Sequence, residues 1–161
     1  MNYAFYKKER LIYMIALASD HAGYELREKI KEYFEGNGIG YIDCGAFSPE
    51  SVDYPLIAKT ACEKITAGEC EKGILCCGTG VGISIAANKF KGIRAAVCYS
   101  EDVARLVRVH NDANVLCLGG RVTGSETAAK LVDIFLNTTF DGGERHRRRI
   151  GQMEGIENCE L

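Results

Sequence analysis

The sequence predicts a single doubly wound α/β domain with a parallel sheet, and three observations support that prediction. Apolar runs alternate with helix-period segments five times along the chain, as in a series of β-α units. The runs are near-continuous in apolar residues, as strands become when helices cover both faces of a parallel sheet. No repeat or low-complexity linker divides the 161 residues, a length that suits one domain with one good core.

Met14 to Ala18 is the first apolar run, and it ends in Ser19-Asp20-His21. Leu26, Ile30, Tyr33 and Phe34 then follow helical spacing until Gly36, Gly38 and Gly40 break it. Ile39 to Asp43 reads as the second strand, Ser48-Pro49 as a loop, and Leu56, Ile57, Ala61 and Ile65 as the apolar stripe of the next helix. Gly73 to Cys77 is the third strand, followed by Gly78-Thr-Gly-Val-Gly82 and a short helix over Ile83 to Asn88. Ile93 to Cys98 is the fourth strand and Glu101 to Val109 a helix; Val115 to Leu118 is the fifth strand and Ser125 to Leu136 its helix. The segment Met1 to Tyr13 carries Lys7, Lys8, Glu9 and Arg10 and lacks the apolar stretch of a signal peptide. Residues 1–13 therefore read as an N-terminal extension and residues 14–161 as the domain, with Met14 an alternative start.

Composition excludes several classes. A formal net charge of −2 argues against a dedicated nucleic-acid binder, which is usually basic over its surface. No segment approaches the roughly 18–20 consecutive apolar residues that span a bilayer. The eight cysteines contain no C-x-x-C pair, and none of the three histidines (His21, His110, His146) is spaced with them as zinc ligands are. Most are expected to be buried, reduced thiols in a cytoplasmic protein, and a metal or redox role for them is disfavoured.

Ligands of doubly wound sheets bind beyond the carboxyl ends of the strands. Asp20-His21, Cys77 to Gly82 and Gly119-Gly120-Arg121 fall at such ends, and His110-Asn111 just precede the fifth strand. All are expected on one edge, with two of the three histidines beside Cys77. Glycines in Cys77-Gly-Thr-Gly-Val-Gly-Ile-Ser84 let backbone approach a ligand and present N–H groups to an anion. A tight structural turn is the alternative. The dinucleotide pattern G-x-G-x-x-G fails because residue 83 is isoleucine, and no Gly-Lys-Ser/Thr is present. Cys77 stands at the mouth of this loop, where neighbouring N–H dipoles favour a thiolate able to act as a base. Residues alternate along a strand, so Cys76 and Cys77 should face opposite ways. In Arg145-His-Arg-Arg-Arg149, Arg145 and Arg149 are spaced i and i+4 and would share a helix face able to grip one phosphate. A solvated helix face and a nucleic-acid patch are the other readings of that cluster.

The stretches Ser19-Asp-His-Ala-Gly23, Val52-Asp-Tyr-Pro55, Cys77 to Lys89, Gly92-Ile-Arg-Ala-Ala96, His110-Asn-Asp-Ala-Asn114 and Gly142-Gly…Arg145-His146…Arg149 together resemble the type B ribose-5-phosphate isomerases. The wider family includes allose- and galactose-6-phosphate isomerases. The resemblance runs from Met14 to about Glu157. Glu144 is an extra residue in the basic segment, and the first 13 residues match no family motif.

The resemblance implies a Rossmann-like α/β/α sandwich around a five-stranded parallel sheet, working as a homodimer or dimer of dimers with shared sites. It implies interconversion of ribose 5-phosphate and ribulose 5-phosphate in the pentose phosphate pathway, with no metal or organic cofactor, no nucleic acid and no membrane. By the same resemblance Cys77 moves the proton between C1 and C2, and Thr79 with the amides of Gly78, Gly80, Val81 and Gly82 holds the enediolate. His110 assists furanose opening, Asp20 and Asn111 meet sugar hydroxyls, and His21, Arg121, Arg145 and Arg149 contact the phosphate. A six-carbon 6-phosphate isomerase on the same scaffold is the alternative within enzymes; a nucleotide-binding flavodoxin-like module is the alternative outside them.

Overall fold

The computed structural model describes residues 14–161. The expected extension over residues 1–13 lies outside them. Five strands, β1 (Ile15–Ser19), β2 (Tyr41–Asp43), β3 (Lys72–Cys77), β4 (Ala95–Val97) and β5 (Val115–Gly119), form one sheet in the order β2-β1-β3-β5-β4. Every pairing is parallel. Six α-helices accompany them: α1 (Tyr24–Asn37), α2 (Tyr54–Thr66), α3 (Val81–Ala87), α4 (Glu101–Asn111), α5 (Ser125–Asn137) and α6 (Glu144–Glu157).

The two-residue alternation of the strands explains the three layers. Ile15 and Leu17, Ile74 and Cys76, and Leu116 and Leu118 point to one face, where Leu26, Ile30 and Phe34 of α1 and Leu131, Val132 and Phe135 of α5 cover them. Ala16 and Ala18, Leu75 and Cys77, and Val115 and Cys117 point to the other, against Ala58, Ala61 and Cys62 of α2 and Ile83 and Ala87 of α3. With both faces covered, β1, β3 and β5 are buried along their whole length. The expected α/β/α sandwich is therefore present, and Cys76 and Cys77 do face opposite layers.

The boundaries shift where local hydrogen bonds win over hydrophobicity. Ile39 caps α1, its N–H bonding to Phe34 O at 2.9 Å behind the left-handed Gly38 (φ 64°), so β2 starts only at Tyr41. Ile93 N–H closes a turn onto Phe90 O at 3.1 Å, and β4 is confined to Ala95–Val97. Helix α3 opens two residues earlier than its apolar run, behind Gly80 at φ 83°. Helix α6 agrees with one reading of the arginine cluster; it has few buried side chains, chiefly His146, so periodicity marks it poorly.

Candidate active site

The strand order reverses between β1 and β3, and ligand crevices open at such points beyond the carboxyl ends. β1 ends there in Ser19, and Asp20 caps a one-turn 3-10 helix, His21–Gly23. The buried Asp20 carboxylate accepts the N–H groups of Ala22 at 2.9 Å and Gly23 at 3.0 Å, while its own N–H bonds to Cys76 O at 3.1 Å. Val52 N–H donates to His21 Nδ1 at 3.3 Å. The turn lies so close to the sheet that a Cβ on Gly23 would sit 2.6 Å from the Cys76 carbonyl carbon, and one on Gly120 2.5 Å from Ala22 O.

Cys77 ends β3 beside this turn. Gly80 N–H donates to Cys77 Sγ at 3.1 Å. The thiols of Cys44, Cys62 and Cys98 instead donate weakly to carbonyl oxygens at 3.5–4.0 Å. Burial pushes those three up to about 11, 12 and 11, and raises Cys76 further still. Cys77 is the only thiol among the described residues that accepts a hydrogen bond. None of the eight cysteines is disulfide-bonded, and all but Cys159 are buried.

Beyond Cys77 the chain turns through Gly78, Thr79 and Gly80 into α3. Thr79 Oγ1 accepts Val81 N–H at 3.3 Å, so its own proton remains available to a ligand. The N–H groups of Gly80 and Val81, two of the four amides expected to hold the enediolate, are taken by Cys77 Sγ and Thr79 Oγ1; Gly82 and Ile83 carry first-turn N–H groups with no acceptor among the described residues. Arg121 N–H bonds to Gly78 O at 3.0 Å, and the Arg121 guanidinium lies along Gly78, with Nη1 3.4 Å from where a Cβ would stand. Two tyrosines that sequence reasoning did not select complete the loop's surroundings. Tyr99 Oη donates to Thr79 O at 2.5 Å, and the Tyr54 ring covers Gly82, where a Cβ would come within 2.8 Å of it. Tyr54 belongs to the Val52–Pro55 stretch; nothing in the pattern marked Tyr99.

His110 and Asn111 do not join this group, and the expectation of a single edge is corrected. They end α4, which runs antiparallel to the strands from the carboxyl end of β4 back to the amino end of β5. There Asn111 O accepts Arg94 Nε at 3.0 Å, just before β4, and Asn114 O accepts Gly73 N–H at 2.9 Å at the start of β3. Cys77 is paired with Gly119 at the far end of the same ladder. The two edges are separated by five residues of β5, on the order of 16 Å. Position in sequence beside a strand misled here because Asn111 precedes β5, and a parallel sheet puts strand starts and strand ends on opposite edges.

α6 brings its own residues to the His110 edge. Arg145 and Arg149 do lie one turn apart on this helix. His146, to which the sequence alone assigns no role, is buried and stacks on His110 with ring centroids 4.5 Å apart and planes 12° from parallel. One chain thus carries the expected site residues in two groups on opposite edges of the sheet. The first holds Asp20, His21, Cys77 to Gly82 and Arg121; the second holds His110, Asn111, Arg145 and Arg149. No cluster of three or more His, Cys, Asp or Glu side chains suited to hold a metal ion occurs among the described residues, and no described helix is long and apolar enough to cross a membrane.

Comparison with known proteins agrees with this fold. Ribose-5-phosphate isomerase B of Escherichia coli is 47% identical over 143 residues, covering 89% of this chain and 95% of that protein. The galactose-6-phosphate isomerase subunit LacB of Clostridium acetobutylicum is 38% identical over 146 residues, covering 90% and 84%. The solved structure of ribose-5-phosphate isomerase B from Clostridium thermocellum superposes with a TM-score of 0.89 at 47% identity, covering 92% of this chain and 99% of that one. The family model described as Ribose/Galactose Isomerase matches residues 15–153. The chain belongs to the ribose/galactose isomerase family and is a sugar phosphate isomerase.

Proposed function

We propose that this chain interconverts ribose 5-phosphate and ribulose 5-phosphate, with Cys77 as general base and a second copy completing each site. The 3.1 Å hydrogen bond from Gly80 N–H to Cys77 Sγ carries the assignment of the base. A thiolate held there removes the C2 proton of the open-chain aldose, and the electron pair flows toward O1 as the enediolate forms. The Thr79 hydroxyl and the free N–H groups of Gly82 and Ile83 are placed to offset that charge. One such donor is worth about 10²–10³ in rate. Returning the proton to C1 while the O2 proton moves to O1 yields the ketose.

His110 serves as the ring-opening group and Arg145 and Arg149 hold the phosphate, together with His21 and Arg121. Because the two half-sites lie on opposite edges, a second copy must bring its His110 edge to the first copy's Cys77 edge. A two-fold pairing creates two equivalent sites at once. The outward-facing apolar side chains Val81 (45% exposed) and Ile85 (57% exposed) on α3 offer a surface for that pairing next to the loop. The seven buried, unpaired thiols suit a reducing cytoplasm.

The relative named as a galactose-6-phosphate isomerase subunit supports a second reading, a six-carbon 6-phosphate substrate on the same half-sites. Purified protein assayed on ribose 5-phosphate with EDTA present separates the two. Robust turnover is expected. Turnover of allose or galactose 6-phosphate without turnover of ribose 5-phosphate would overturn the five-carbon assignment.

A further inference from the structure

We propose that His146 is a positioning residue for furanose opening: stacked on His110 and held by Arg145, it fixes the plane of the His110 imidazole and links it to the phosphate-binding helix. This inference rests on His110 being the ring-opening group. It adds a residue to which neither that reading nor the family resemblance gives a role.

Four observations carry it. His146 is 5% exposed, an unusual burial for a polar ring in a helix whose other side chains are mostly in solvent. Its ring lies over His110 at 4.5 Å between centroids and 12° between planes, so His110 cannot tilt toward it. Its Nε2 accepts from Arg145 Nε at 3.3 Å, and the Asp141 carboxylate stands 3.6 Å from the same nitrogen. Asp141 is in turn tied to α4, its N–H bonding to Val109 O at 3.3 Å. The stack is therefore anchored from both helices and from the loop between α5 and α6.

The surroundings favour the neutral form of His146. Burial lowers it below the ordinary histidine value; Asp141 pulls the other way, and His110, Arg145 and Arg149 lower it further. A neutral ring accepting at Nε2 carries its proton on Nδ1 and presents His110 with an uncharged flat face. That arrangement suits the step. Opening the furanose breaks the C1–O4 bond, releases the O1 proton to water and places a proton from His110 on O4. Delivery to one oxygen of a bound sugar requires an imidazole nitrogen held at one angle.

The chemistry of the substrate pair supplies a selective readout. Ribose 5-phosphate is largely a closed furanose, whereas ribulose 5-phosphate is open because the oxygen that would close its ring is esterified. Deuterium uptake at C1 of ribulose 5-phosphate from D2O therefore reports enediolate formation without ring opening. His146→Ala is expected to lower kcat/KM on ribose 5-phosphate by about tenfold to a hundredfold, with a much smaller loss of deuterium uptake. His146→Phe restores a flat ring to the stack and is expected to recover most of the lost turnover. Equal losses in both assays, or a Phe variant no better than Ala, would overturn the proposal. His110→Ala separates the levels. If it shows the selective loss and His146→Ala does not, the positioning role alone is wrong. If His110→Ala shows no selective loss, the ring-opening assignment fails and this inference fails with it.

Discussion

Cys76 and Cys77 are adjacent, both buried, and chemically identical, yet their surroundings separate them completely. Cys76 points into the α1/α5 layer among apolar side chains, where burial holds its thiol protonated. Cys77 points to the α2/α3 layer at the strand's last position and receives the Gly80 N–H. Cys77→Ala is expected to cut kcat by at least about 10²-fold, the contribution of a positioned base, with the fold retained by circular dichroism. Cys76→Ala should keep substantial turnover while losing stability. A dead Cys76→Ala beside an active Cys77→Ala would show that the other thiol is the base. This distinction was legible beforehand, because strand alternation is a two-residue rule that needs no tertiary information. The contributions of Tyr99 and His146 were not, because each depends on a partner far away in sequence: Thr79 for one and His110 for the other.

At the scale of elements, the turn His21–Gly23 is set by how closely it approaches β3. A side chain on Gly23 would collide with the Cys76 backbone at 2.6–2.7 Å, and backbone cannot yield as a flexible side chain can. Gly23→Ala should therefore cost about 1–3 kcal/mol in a denaturant titration and reduce turnover, since the displaced turn carries Asp20 and His21. Unchanged stability and rate would mean the turn is not held at this distance. The strands and helices α1 to α5 were readable because each buries a regular stripe. Helix α6 was hard to read because its first turns are charged on every side and only His146 and Gly155 are buried. The short β2 and β4 were overextended because Ile39 and Ile93 are apolar but spend their N–H groups on turns.

For the whole molecule, the two-layered core contains thiols that must stay protonated. The folded values near 11 for Cys44 and Cys98 and 12 for Cys62 lie above the value near 9 of an unperturbed thiol. The unfolded chain therefore ionises first as pH rises. Stability is complete below about pH 9 and declines from there through the folded values. Thermal melts in a non-thiol reductant should show a lower midpoint at pH 10.5 than at pH 8, and a midpoint independent of pH over that range would contradict the burial of these groups. The larger consequence of the architecture is the separation of the Cys77 edge from the His110 edge. No single chain brings Cys77 to His110, since β3 ends where α4 begins and α4 ends where β5 begins. The sequence made the residues legible and misplaced one set of them, because adjacency to a strand does not say which end of the sheet a residue occupies.

Shared sites are tested most directly by mixing two inactive variants, Cys77→Ala and His110→Ala, under conditions that exchange subunits. In a mixed pair one site takes both substitutions and the other takes neither, so turnover of ribose 5-phosphate should return, to about a quarter of the wild-type level for random pairing. Mixed pairs that form, as seen by tagged pull-down, yet remain as inactive as either parent would contradict the account.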